Sequence, residues 1–218
     1  MSGWTALQTS RGTEALDGCG QDECLVSRLF AMPFVRSAGA VILGKKPAAL
    51  FSFSCGGRVS EASGNCVCEV IDAYSRGLAD HGMRLVVLGT RGPRVELLVW
   101  RPALVDEVLL DEGSRDFLRD AGHDTGDSEG LVRSLQARLS AFHAGSVREY
   151  PHEVGLILGY PLEDVRGYVQ GGHETCRGLW RAYGDPEAAR WRFARISAAQ
   201  DMCRSRFEAG ETIGALLA

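Results

Sequence analysis

Residues 84–101, RLVVLGTRGPRVELLVWR, constrain this chain more than any other stretch. Two runs rich in valine and leucine, RLVVLGT and VELLVWR, flank RGPR, whose adjacent glycine and proline suit a tight connection between antiparallel strands. Such side chains fit a pleated, half-buried surface, so the runs are expected to form the central strands of a sheet. A sheet must bury its faces against other elements, and the remaining sequence supplies them.

From Pro102 the pattern turns helical: PALVDEVLL, then SRDFLRDAG, then a helix from about Asp127 with Leu131, Leu135, Leu139 and Phe142 on one side. GHDTGDSEG, before that last helix, reads as a polar loop. Asn65 can cap an earlier helix with apolar positions Val67, Val70, Ile71, Tyr74 and Leu78, stopped near Gly82. Near the end, GLWRAYG reads as one more strand. Asp185-Pro186-Glu187 then opens a long helix with a cap, a first-turn proline and a dipole-matching acid. Ala189, Phe193, Ile196, Gln200, Cys203 and Phe207 make its buried stripe, and Gly210 ends it.

Upstream, Cys24 to Phe34 is expected as a short helix ended by Pro33. AGAVILG and ALFSF follow as short strands joined through GKKP, a hairpin or strand corner. Residues 1–24 show no sustained period, so the expected organisation is a poorly patterned leader and a single domain over 25–218. The fold class is α+β: a small, largely antiparallel sheet from the first half, covered by helices mostly from the second.

Composition excludes several classes. A net charge of −4 and 45% hydrophobic residues describe an ordinary globular chain with no general attraction for nucleic acid or an acidic membrane. No apolar run approaches the roughly 20 residues of a bilayer span, and the N-terminus lacks a signal-peptide pattern, so a cytoplasmic location is expected. The seven cysteines are odd in number and irregularly spaced, which argues against a disulfide framework. Cys66, Cys68, His173 and Cys176 do not reproduce structural zinc spacing, and no metal site is expected. Arginines of the last long helix (Arg190, Arg192, Arg195, Arg204, Arg206) are interleaved with acids and lack a stacking platform, favouring a solvated or subunit-facing surface and leaving a homo-oligomer open. Dinucleotide, phosphate-loop, nucleophile-elbow and HExxH signatures are absent.

One stretch points to a site: EYPHEVGLILGYPLED, residues 149–164. Pro151 suits a first helical position, which puts His152 and Glu153 in the first turn. Glu153 there has an ordinary capping role open to it. The positive helix end disfavours protonated His152 and is expected to keep its ring neutral near pH 7, able to take a proton or bind a metal. Gly155 and Gly159 lie three and seven positions on, along the face of His152. Glycine inside a helix costs about 1 kcal/mol relative to alanine, so the stripe requires a reason: either close packing by another element, or a ligand against bare backbone. Lys45 and Lys46 at the GKKP turn could face a phosphate or carboxylate, or simply be solvated. Tyr160 and Arg166 flank the helix junction.

The PHE triplet at 151–153 and LGYP at 158–161, in order and adjacent, resemble the paired motifs of a bacterial family known only as domain of unknown function 3793. The likeness continues through LEDVRGYV, GLWRAYGD and FEAGETIGALL, and back to GKKPAALF, covering most of the chain past residue 38. Where the resemblance implies a cysteine and a proline before the lysine turn, this chain has Ser37 to Val41. The resemblance implies a family and no activity.

The residues therefore suggest a pocket at the start of the Pro151 helix for a small anionic molecule or a flat cofactor such as haem or flavin. In an enzyme, His152 would be general base or ligand to a metal or haem, Glu153 would orient it, and Lys45 or Lys46 would hold the anionic end, with the Gly155 and Gly159 face as the floor and Tyr160 adding a hydroxyl. In a non-enzymatic protein, the same groove would receive a cofactor or partner helix, or PHEVGLILGYP would be a packing motif.

Overall fold

A computed structural model describes residues 25–54 and 64–218, together with Leu16. The expected N-terminal segment, the side chain of Cys66 and the start of the Asn65 helix fall outside what is described. Three antiparallel strands form the sheet: β1 (Ala48–Phe53), β2 (Arg84–Arg91) and β3 (Arg94–Trp100), in the order β1-β3-β2. The pairing of RLVVLGT with VELLVWR is as expected, joined through Gly92 at φ 57°.

Side-chain alternation along β3 separates two cores. Leu97 and Val99 join Ala49, Phe51, Phe53 and Leu85 on one face, against α1 (Leu25–Ile42) and α2 (Gly64–Ala79). Leu98 and Trp100 join Ala48 and Leu88 on the other. That second face is covered by α3 (Pro102–Leu110), α4 (Glu112–Asp120), α5 (Ser128–His143) and the LGYP region. The α5 stripe is as expected, with Leu131, Leu135 and Leu139 fully buried and Asp127 accepting from the Gly130 amide as N-cap. Tyr74 and Leu78 of α2 are fully buried too, and Gly82 takes φ 67° where that helix stops. Asn65 lies inside α2, whose described part begins at Gly64, instead of preceding it.

The upstream hairpin is corrected. Helix α1 runs through Pro33 to Ile42, so the first five residues of AGAVILG are its end, Leu43 and the GKKP residues make a helix-to-strand turn, and the partner of β1 is β3. An interior proline costs a helix about 3 kcal/mol. Burial of Phe30, Phe34, Val35, Ala38, Val41 and Ile42 on one broad face, with every residue from Ala38 to Ile42 buried, outweighs that cost. A helix buried all round has the same short apolar signature as a buried strand, which is why the residues misled. Gly39 marks the close crossing: a Cβ there would lie 3.0 Å from that of Cys203 on α8 (Pro186–Glu208).

The end of α1 is tied down by one residue. Arg101, between β3 and α3, donates from Nε to the Val41 carbonyl (2.7 Å), from Nη2 to Ile42 (2.6 Å) and from Nη1 to His81 (3.3 Å), while its amide donates to Pro47 (2.9 Å). The guanidinium satisfies helix carbonyls that lack intrahelical partners and sits at the negative end of the α1 dipole.

The long C-terminal helix α8 begins as expected, Asp185 accepting from the Glu187 amide. GLWRAYG contributes less strand than expected: β4 (Cys176–Arg177) and β5 (Arg181–Ala182) are two-residue strands around a turn containing Trp180. The chain closes with α9 (Ile213–Leu217) on the α1 side. Among the described residues, no helix is long and apolar enough to cross a membrane.

Replacing Arg101 by Met keeps much of the side-chain volume, leaves the Ile42 carbonyl unmatched and leaves the Val41 carbonyl with the Gly44 amide alone (3.0 Å). The expected cost is about 1–3 kcal/mol in urea unfolding, with amide exchange accelerated first at Leu43 to Lys46.

Candidate functional site

The PHEVGLILGYP segment is a chain of tight turns more than a regular helix. Amides of Val154, Gly155 and Leu156 bond to carbonyls three residues back, at 3.1, 3.1 and 3.0 Å, and only Val154–Ile157 is α-helical (α6). The expected helix from Pro151 to Gly159 is thus shortened, because Val154, Leu156, Ile157 and Leu158 are all buried and no face is left for solvent. The stop is as expected: Gly159 has φ 82°, and the Tyr160 amide closes back on the Gly155 carbonyl at 2.8 Å. Pro161 then precedes α7 (Leu162–Val169).

His152 and Glu153 point to separate partners. Glu153 is 7% exposed; His123 Nε2 lies 2.9 Å and Arg138 Nε 3.4 Å from its Oε1. His123 Nδ1 is 2.9 Å from Ser134 Oγ, which donates to the Leu131 carbonyl at 2.8 Å, and Arg138 also donates to the Ala121 carbonyl. Burial alone would raise the Glu153 pKa, but the His123 hydrogen bond and the Arg138 charge hold it below the ordinary carboxylate value. Glu153 therefore neither orients His152 nor makes a side-chain cap; its carboxylate fastens the motif to α5 and the loop before it.

His152 is exposed, and its ring lies 4.7 Å from Tyr168 and 5.4 Å from Tyr150, centroid to centroid. These rings line one side of a cavity of about 310 Å³. Tyr160 and Trp180, stacked at 4.5 Å and 20°, line it as well, with Val154, Gly155 and Arg181 among the other lining residues. Burial pushes the Tyr150 phenol up to about 12, helped by the Glu96 charge, and raises Tyr160 too, so both keep their protons and can donate. Asp164, also in the lining, is saturated by Trp180 Nε1 (2.7 Å) and the amides of Tyr183 (2.6 Å) and Gly184 (3.1 Å), and so fixes the Trp180 ring.

The glycines are filled by the chain itself. A Cβ on Gly155 would lie 2.9 Å from Val165 Cγ2 and 3.0 Å from Tyr160 Cδ2; one on Gly159 would lie 2.7 Å from Pro47 Cδ. Gly155 still borders the cavity, whereas Gly159 faces a wider cleft on the far side of Tyr160. Lys45 is exposed. Lys46 sits behind the Tyr160 ring, its Nζ 5.8 Å from the centroid, and burial lowers its pKa to about 8. Of the residues singled out in the sequence, His152, Gly155 and Tyr160 share the cavity, and the two lysines and Gly159 do not line it.

Sequence reasoning missed Tyr150, Tyr168, Trp180 and Arg181, along with His123 and Arg138. Tyr150 and Tyr168 flank the motif closely enough to be suspected. Trp180 reaches the cavity only because the turn between β4 and β5 folds over α7 and Asp164 grips it.

Changing Glu153 to Gln should cost about 1–3 kcal/mol in urea unfolding at neutral pH, since it weakens a buried charge-assisted contact. The folded pKa is depressed, so the carboxylate's contribution is complete above the unfolded value of about 4.3 and is lost as pH falls through the lower folded value. Stability curves of the two proteins should therefore converge on acidification below about pH 4.

Among curated proteins and among solved structures, no match to this chain is found. A family model described as "Protein of unknown function (DUF3793)" matches residues 34–217, which include every element from α2 onward and every cavity residue named above. The chain belongs to that family.

Proposed function

We propose that this protein binds a flat, π-rich small molecule carrying an anionic group, in the cavity beside His152. One observation carries the reading: four aromatic rings and an imidazole, from Tyr150, His152, Tyr160, Tyr168 and Trp180, line a single cavity. Aromatic walls favour a planar partner through offset stacking. Tyr150 and Tyr160 offer phenol donors, and Arg181, exposed at the cavity edge, offers a charge for an anion. At about 310 Å³ the space is at the small end of ligand sites, roughly 300–1,000 Å³. That size suits one to three fused rings, as in a flavin, better than a haem macrocycle.

Binding is favoured over catalysis because Glu153 is committed to His123, leaving His152 without an acidic partner among the described residues. A purely structural reading has its own support in the contacts of Gly155 and Gly159 with Val165, Tyr160 and Pro47. The two readings differ at the exposed rings, which a packing motif does not need.

Titration with flavin mononucleotide, read by quenching of its fluorescence, tests the proposal on the full chain, alongside an absorption spectrum of the protein as purified. His152→Ala and Tyr168→Ala should each weaken binding about three- to tenfold, the value of a lost stacking contact, with thermal stability nearly unchanged. Absence of binding and of any retained chromophore would remove the flavin-type ligand. Binding indifferent to both substitutions would place it elsewhere, and loss of stability in both would leave a packing motif.

A further inference from the structure

A second cluster lies where α5 ends on the sheet. Gln136 donates to the Val87 carbonyl (2.6 Å), Ser140 to the Leu88 carbonyl (3.2 Å), and His143 Nε2 to Glu96 Oε2 (2.7 Å). Spaced four and three residues apart, the three share one helix face. Val87 and Leu88 lie at a bulge, where the β2–β3 register shifts between Val87 and Gly89, so the first two bonds satisfy carbonyls that the ladder leaves free. The third bond closes no ladder gap.

Around it the sheet is unusually polar. Ser52, Glu96 and Gly89 form one cross-strand row, and Arg94 lies two residues from Glu96 on the same face. Gly89 admits the imidazole: a Cβ there would lie 3.0 Å from His143 Cδ2. With Thr90 these residues enclose a cleft of about 140 Å³ without an apolar side chain in its lining. Arg94 is exposed and pairs with no acid among the described residues; Glu96 Oε1 has no hydrogen-bond partner among them.

We propose that this cleft binds inorganic phosphate. Arg94 supplies the charge, the Ser52 hydroxyl supplies a neutral donor, and Glu96 supplies the selectivity. A carboxylate oxygen can only accept, so an oxyanion beside it must carry a proton to donate. Inorganic phosphate does so at neutral pH. Sulfate carries none, and a phosphate monoester, with its second pKa near about 6, is largely stripped of its proton there. The carboxylate repels those two and bonds to the first, while its other oxygen is held by the hydrogen bond to His143.

The test is a calorimetric titration of the full chain with inorganic phosphate, sulfate and glycerol phosphate at slightly alkaline pH, accompanied by amide chemical shifts. Phosphate should bind, shifting residues 89–96 and 52, and sulfate and the monoester should not. Arg94→Gln, at an exposed position, should weaken phosphate about tenfold, the loss of one charge-assisted contact. Glu96→Gln should admit sulfate, because the amide nitrogen can donate where the carboxylate could not; this gain of binding cannot come from unfolding. Failure of phosphate to bind overturns the proposal, as does equal binding of sulfate by the unaltered protein, an affinity unmoved in Arg94→Gln, or a Glu96→Gln protein that still rejects sulfate. Shifts confined to the His152 cavity would also overturn it.

Discussion

Arg101 is the point on which the two halves of this fold meet. Its guanidinium holds the last carbonyls of α1 and the turn after α2, and its amide holds Pro47 at the entry to β1. Burial works against the charge and lowers its pKa, so the arrangement is sustained only because the planar fork finds three carbonyls. Without it, α1 would reach the sheet with the Ile42 carbonyl unpaired, beside Phe34, Val41 and Ile42 side chains that are wholly or almost wholly buried. A helix carrying an interior proline has little margin for a second defect.

The other half of the molecule is organised by two buried carboxylates. Glu153, gripped by His123 and Arg138, joins the motif to α5; Asp164, gripped by Trp180 and two amides, joins α7 to the β4–β5 turn. Each carboxylate is costly to bury and is compensated by several donors. Together they set the two walls of the aromatic cavity, since His152 follows from the placement of Glu153 and Trp180 from that of Asp164. Neither acid is available to a ligand, which is why the glutamate that looks catalytic in the sequence is not beside the histidine that precedes it.

What the sequence made legible was periodic and local. The β2–β3 hairpin, the leucine stripe of α5, the Asp185 cap and the glycine stop at residue 159 all depend on neighbours within a few positions. AGAVILG was misread because burial on all sides erases the difference between helix and strand period. The site was half legible for a related reason. His152, Gly155 and Tyr160 lie within one short motif, while Trp180 and Arg181 arrive from a turn some twenty residues on, through a hydrogen bond to Asp164 that no spacing rule announces. Lys45 and Lys46 stood out as charges at a turn, yet the paired ammonium side chains diverge, one to solvent and one behind an aromatic ring.

That ring links the sheet to the cavity. The Arg101 amide holds Pro47, Pro47 packs on Gly159, Lys46 lies over Tyr160, and Tyr160 stacks on Trp180. Gly159 is bare for two reasons that act together: its φ of 82° suits no side chain, and Pro47 occupies the space one would need. The inner wall of the cavity is therefore attached to the most buried part of the molecule, and its geometry is set before any ligand arrives. The outer wall differs. His152, Tyr168 and Arg181 are all exposed; the two rings touch each other and Tyr150, and Arg181 lies over Tyr168 and 3.7 Å from Glu174 Oε2. A planar ligand would meet a preorganised floor at Tyr160 and Trp180 with little ordering cost, and adaptable rings at the rim. The fixed pair, stacked on itself, would set the shape of the floor, and the exposed residues, which leave the core unchanged when substituted, would supply the stacking and the charge.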